Sequence, residues 1–180
     1  MARRGIDGSA FEPENIRQAA QCTVAFKMTV SIVELFQPVV AAISNLIDVF
    51  VAGWNAGDGE ACGRPFADEA VFTAITGLRA QGRDLIAGGH TEILSTIYRG
   101  TQISATVNSI NFLRPDVAAV DVTLQFEGKQ PFGLAQTSLG LVATKEGDTW
   151  SIAVFRNMVA FGRQATGPLE QEQMPGVAAA

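Results

Sequence analysis

The chain has 180 residues, a formal net charge of −5 and a pI near 4.8, with 47% hydrophobic but only 17% charged residues. That length suits one domain, and its 13 Lys and Arg are scattered rather than gathered into the basic stripe that phosphate binding needs, which argues against nucleic acid as a partner. Cys22 and Cys62 stand apart from each other and from other potential ligands, so no metal or metal cluster is expected and a reduced, cytoplasmic setting fits.

Residues 1–37 read as an N-terminal extension. A helix over about 13–36 is suggested by Ile16, Ala20, Val24 and Met28 at near-helical spacing. It is either a docking arm or sequence upstream of an internal start at Met28. Asp7, Glu12 and Glu14 follow Arg3 and Arg4, and Lys27 interrupts the apolar stretch 24–33, so no export signal is expected. No apolar run approaches the ~20 residues that span a bilayer, which predicts a soluble chain without a membrane partner.

The first strong element begins at Pro38, a residue suited to the first turn of a helix. Val39, Ile43, Leu46, Phe50 and Trp54 recur at three- and four-residue steps until Gly57 stops the run. Ile47, Val49 and Val51 widen the apolar surface, which predicts cover on more than one side. Asp58 is placed to cap a short second helix limited by Gly63 and Pro65. Residues 70–75 read as a strand closed by Thr76-Gly77, and 83–98 as a third helix with Leu85, Ile86, Ile93, Leu94 and Ile97 on its apolar face. From Thr101 the period becomes two. Strands are expected over 102–113, 117–127, 135–145 and 149–161, joined by short turns as an antiparallel meander. Residues 163–180 read as a flexible tail. Helices followed by a sheet predict an α+β fold, a cone in which N-terminal helices pack on a curved antiparallel sheet.

The stretch Phe50-Val51-Ala52-Gly53-Trp54-Asn55-Ala56-Gly57-Asp58, then Phe66-Ala67-Asp68-Glu69-Ala70, Gly77, Gly82-Arg83-Asp84 and His90, resembles the SnoaL-like and SgcJ/EcaC-type members of the nuclear transport factor 2-like superfamily. The run from Trp150 to Asn157 resembles the strand that ends such domains. The resemblance covers about 38–162 and implies a cone-shaped pocket and a homodimer, without implying one reaction. Ketosteroid isomerases in the superfamily use a carboxylate base, a Tyr and a protonated acid. Here the base position falls on Ala74, the only tyrosine is Tyr98 in the third helix, and 137–144 holds no Asp or Glu.

His90, the only histidine, lies four residues after Ile86 and three before Ile93, so it points toward the core or pocket. It is a candidate acid or base, or a structural residue bonded to a backbone carbonyl or to Asp58. Asp121 alternates with Thr123 and Gln125 on the polar face of its strand; it is the best carboxylate for proton transfer if that face looks inward, and a solvated residue if it does not. Arg156 and Asn157 point to opposite faces of the last strand. The resemblance favours Asn157 as the inward hydrogen-bond donor, and Arg156 stays among the lining candidates. Phe50, Trp54, Phe66, Phe72 and Tyr98 complete the expected lining, although core packing alone also accounts for such aromatics.

These residues point to a pocket for an apolar polycyclic or polyketide-like compound. It is either a cofactor-independent isomerase, cyclase or lyase using His90, Asp121 and Asn157, or a non-catalytic binding or association domain. On the last strand, simple alternation puts Trp150, Ile152 and Val154 on one face and Ala153, Phe155 and Val159 on the other, so both need cover. A homodimer across the outer sheet face is the expected solution.

Overall fold

The computed structural model describes residues 36–129 and 131–159. The helix expected over 13–36, all but its last residue, and the tail expected over 163–180 lie outside them. The chain divides into two compact units, Met1–Ala42 and Ile43–Ala180. Of the first, residues 36–42 are described and helical; the remaining architecture belongs to the second.

Helix α1 (Phe36–Ala56) begins upstream of the expected Pro38. From Ile43 onward it buries Ile43, Leu46, Ile47, Phe50 and Trp54, while Asn45, Asp48 and Ala52 form an exposed stripe. With 21 residues and a mean hydropathy of 1.5, α1 is long and apolar enough to cross a membrane by length and composition. The sequence expectation missed this because polar residues break the run. In the folded chain those polar residues share one side, the pattern of a helix laid on a core.

The motif after Phe50 encodes how α1 meets its neighbours. A Cβ on Gly53 would stand 2.6 Å from the Cys62 nitrogen, so only glycine lets α2 (Gly59–Gly63) lie this close. Gly57 ends α1 at φ 68°, and the Asp58 carboxylate accepts from the Ala61 N–H at 2.9 Å, capping α2. Asn55 donates to the Ile103 carbonyl (2.9 Å) and accepts from the Ile103 N–H (2.7 Å), clasping the start of a long strand. The Trp54 indole donates to the Thr101 hydroxyl at 3.1 Å.

Strands β1 (Phe66–Thr73) and β2 (Arg79–Gln81) precede α3 (Arg83–Ser95), and β3 (Gln102–Arg114), β4 (Val117–Glu127), β5 (Gln136–Glu146) and β6 (Thr149–Met158) follow. The six strands form one mixed sheet in the order β2-β1-β6-β5-β4-β3. The four long strands make the expected antiparallel meander. The correction lies at the other edge: β1 starts at Phe66, pairs parallel with β6, and carries the unforeseen β2 as a hairpin partner.

One irregularity rearranges the last strand. Ala143 pairs with Ile152 and Val142 with Val154, so Ala153 is an extra residue, a β-bulge. Trp150, Ile152 and Phe155 therefore all lie buried on the inner face. Trp150, Ile152 and Phe155, which alternation divides between two faces, share one across the bulge, and Val154 takes the other.

Candidate functional site

Between α1, α3 and the inner sheet face lies a cavity of about 310 Å³, lined among others by Phe50, Trp54, Phe72, His90, Phe155 and Asn157. Its wall is an aromatic cluster. Phe72 stacks on Phe155 with centroids 5.0 Å apart, and the His90 ring stands edge-on to Phe50 (5.3 Å) and Phe72 (5.2 Å). Tyr98, packed 5.2 Å from Trp54, closes the end near Phe126.

His90 is only 3% exposed. Its Nδ1 lies 2.8 Å from the Ile86 carbonyl one turn earlier. A carbonyl can only accept, so Nδ1 carries the proton and Nε2 keeps its lone pair. Burial lowers the imidazole pKa below its ordinary value, and the Ile86 hydrogen bond opposes this more weakly. The ring is thus uncharged at neutral pH. Its partner is the backbone, not Asp58, which is occupied as the α2 cap.

Asn157 reaches the cavity from β6, where it pairs with Leu139. Its Oδ1 is buried and has no hydrogen-bond partner among the described residues. The same holds for Thr137 Oγ1, on the same sheet face two residues from Leu139. A polar atom left this way in apolar surroundings is uncommon and calls for a partner.

No family model matches the chain, and no curated protein matches it. Solved structures do. A domain of unknown function with a cystatin-like fold from Nostoc punctiforme superposes with a TM-score of 0.63 at 25% identity, over 68% of this chain and 77% of that one. An NTF-2 like protein of unknown function from Shewanella oneidensis gives 0.57 at 16% identity, over 66% and 98%. The fold is that of the nuclear transport factor 2-like superfamily. A scytalone dehydratase-like protein from Novosphingobium aromaticivorans matches at 0.55 with 16% identity, over 74% and 89%.

Within this nuclear transport factor 2-like fold, His90 and Asn157 share one cavity and Asp121 does not join them. Val120, Val122 and Leu124 take the inner face of β4, so Asp121 is exposed on the outer face and accepts from the Ser109 hydroxyl at 2.8 Å. Arg156 is likewise exposed outside, 3.5 Å from the Thr73 hydroxyl. Phe66 is fully buried behind the wall against Phe50, Phe72 and Phe155, and packs without lining the cavity. Ala74, where the isomerase comparison looks for a base, does line the cavity, with only a methyl group.

The one carboxylate among the described lining residues is Glu92, exposed at the mouth. Among the described residues no three His, Cys, Asp or Glu side chains gather as a metal site requires. The Cys62 thiol is pushed up to about 12, mainly by burial and then by Asp58, and is inert as a nucleophile. Sequence reasoning missed the mouth, where Leu78, Leu85 and Ile97 line the cavity from exposed positions. The only available signal was their apolarity, which suggests core.

Proposed function

We propose that the protein holds one compact, largely apolar molecule, polycyclic or polyketide-like, with its polar end against His90 and Asn157. The observation behind this reading is a pair of buried polar groups at a largely apolar cavity: the His90 imidazole with its Nε2 lone pair, and the Asn157 Oδ1 that lacks a partner among the described residues. Leaving such a buried group unsatisfied costs about 1–3 kcal/mol, which a ligand hydroxyl would return. The volume sits at the lower end of the ~300–1,000 Å³ usual for small-molecule sites, so a two- or three-ring compound is the expected size. Because Nε2 accepts, the ligand presents an O–H or N–H to it.

A catalytic form of the same reading is favoured by the fixed tautomer. An uncharged imidazole oriented through Nδ1 is in the state a general base requires, and the Asn157 amide could steady a developing oxyanion. That chemistry is metal-free proton transfer of the isomerase, cyclase or lyase type, and the dehydratase-like neighbour lends it support. Without Asp121 at the cavity, His90 would act with no carboxylate behind it.

Calorimetric titration with 2-naphthol and naphthalene tests the site. The expected result is tighter binding of 2-naphthol by about five- to tenfold, the worth of one net hydrogen bond. In His90→Phe that preference should vanish while naphthalene binding persists. Equal affinity of the native protein for both, or binding of neither, would overturn the reading.

A further inference from the structure

We infer that the bound molecule carries an apolar arm that leaves the cavity along α3, over Gly89, toward a rim formed by Leu78, Leu85 and Ile97. This deepens the reading just given and rests on it. The three rim side chains are 73%, 62% and 54% exposed, yet all line the cavity that contains His90. Single large apolar residues scatter over any surface. Three that line one cavity from exposed positions mark a contact.

The lining positions Leu85, Gly89 and Ile93 follow each other at four-residue steps, with Ile97 just past the helix end, so they share one face. From Leu85 to Ile93 that face runs for about 12 Å. Gly89 interrupts it. Glycine inside a helix costs about 1 kcal/mol relative to alanine, and Gly53 and Gly63 are accounted for by close neighbours, Cys62 and Ala87. At Gly89 an added Cβ would meet nothing within 4 Å. No protein group requires the glycine there, and the missing side chain leaves a notch continuous with the cavity.

Other occupants fit this surface less well. Arg79, Asp84, Glu92 and Arg99 carry both signs along the same segments, and the net charge of −5 does not favour an anionic bilayer. A second copy would need roughly 800 Å² on each partner, more than three separated side chains supply. A chain attached to a ligand already held inside needs only the continuity that is present.

Titration of the full chain with 4-n-alkylphenols from ethyl to octyl tests the inference, alongside Gly89→Leu and the triple variant Leu78→Ser, Leu85→Ser, Ile97→Ser. Affinity is expected to rise about two- to fourfold per added methylene. Gly89→Leu, filling open space, should melt no lower than the native protein and bind 4-ethylphenol as well, but lose the gain for the longest chains. The triple variant should lose that gain in part. A native affinity independent of chain length, or a Gly89→Leu variant that keeps the full gain, overturns the inference. If 4-ethylphenol fails to bind at all, the pocket reading falls and this inference with it. Sedimentation of the ligand-free protein with phosphatidylcholine vesicles, or a smaller assembly for the triple variant than for the native chain, would assign the rim to lipid or to a second copy and overturn it too.

Discussion

At the scale of single residues, His90 links burial to charge. Its folded-state pKa lies below the ordinary value of 6.5, because burial disfavours the imidazolium. Above about pH 6.5 the ring is neutral both folded and unfolded, and its contribution to stability is fully present. As pH falls below that value the unfolded chain takes up a proton that the folded chain refuses, and stability is lost down to the folded pKa. Urea unfolding of the native protein should therefore show a loss between pH 7.5 and 5.5 that His90→Gln lacks; identical pH slopes would contradict the assignment. The inward placement of His90 was legible, since Ile86 and Ile93 flank it at helical spacing. The outward placement of Asp121 was not, because alternation along β4 separates two faces without saying which one the helices cover.

At the scale of elements, the family-like motif around Gly53 and Asp58 describes helix packing and capping more than chemistry. Gly59 makes this testable. A Cβ there would collide with the Thr91 backbone nitrogen and Cα on α3, and these cannot retreat without moving the helix. Gly59→Ala should lower stability by more than about 2 kcal/mol in denaturant titration, at the upper side of overpacking costs. A near-neutral result would mean that α2 and α3 are not held this closely. The long strands could be placed in advance to within a few residues, because Arg114-Pro115-Asp116 and Glu146-Gly147-Asp148 punctuate them with turn chemistry. The opening of β1, Phe66-Ala67-Asp68-Glu69, lacks alternation, and the three-residue β2 is too short for any period to register.

At the scale of the whole molecule, the bulge at Ala153 changes the ground on which a homodimer is expected. With Trp150, Ile152 and Phe155 all turned inward, the outer face is largely Ser, Thr, Gln and Asn. A row of Val71, Val154 and Val142 crosses it in register, with Ala119 beyond. A twofold contact across this face would centre on that row. Sedimentation at micromolar concentration is expected to give twice the 19.0 kDa chain mass, and Val154→Asp a folded monomer. A native monomer would remove the outer face as an interface. The same bulge also bears on how this sequence would drift over evolutionary time. Loss of the single codon for Ala153 would remove only the extra residue, keeping Val154 and Arg156 outside and Phe155 and Asn157 inside, so the pocket lining would survive the deletion. An alignment with an unbulged relative that leaves no gap opposite this codon would exchange inward and outward positions for every residue after it on the strand.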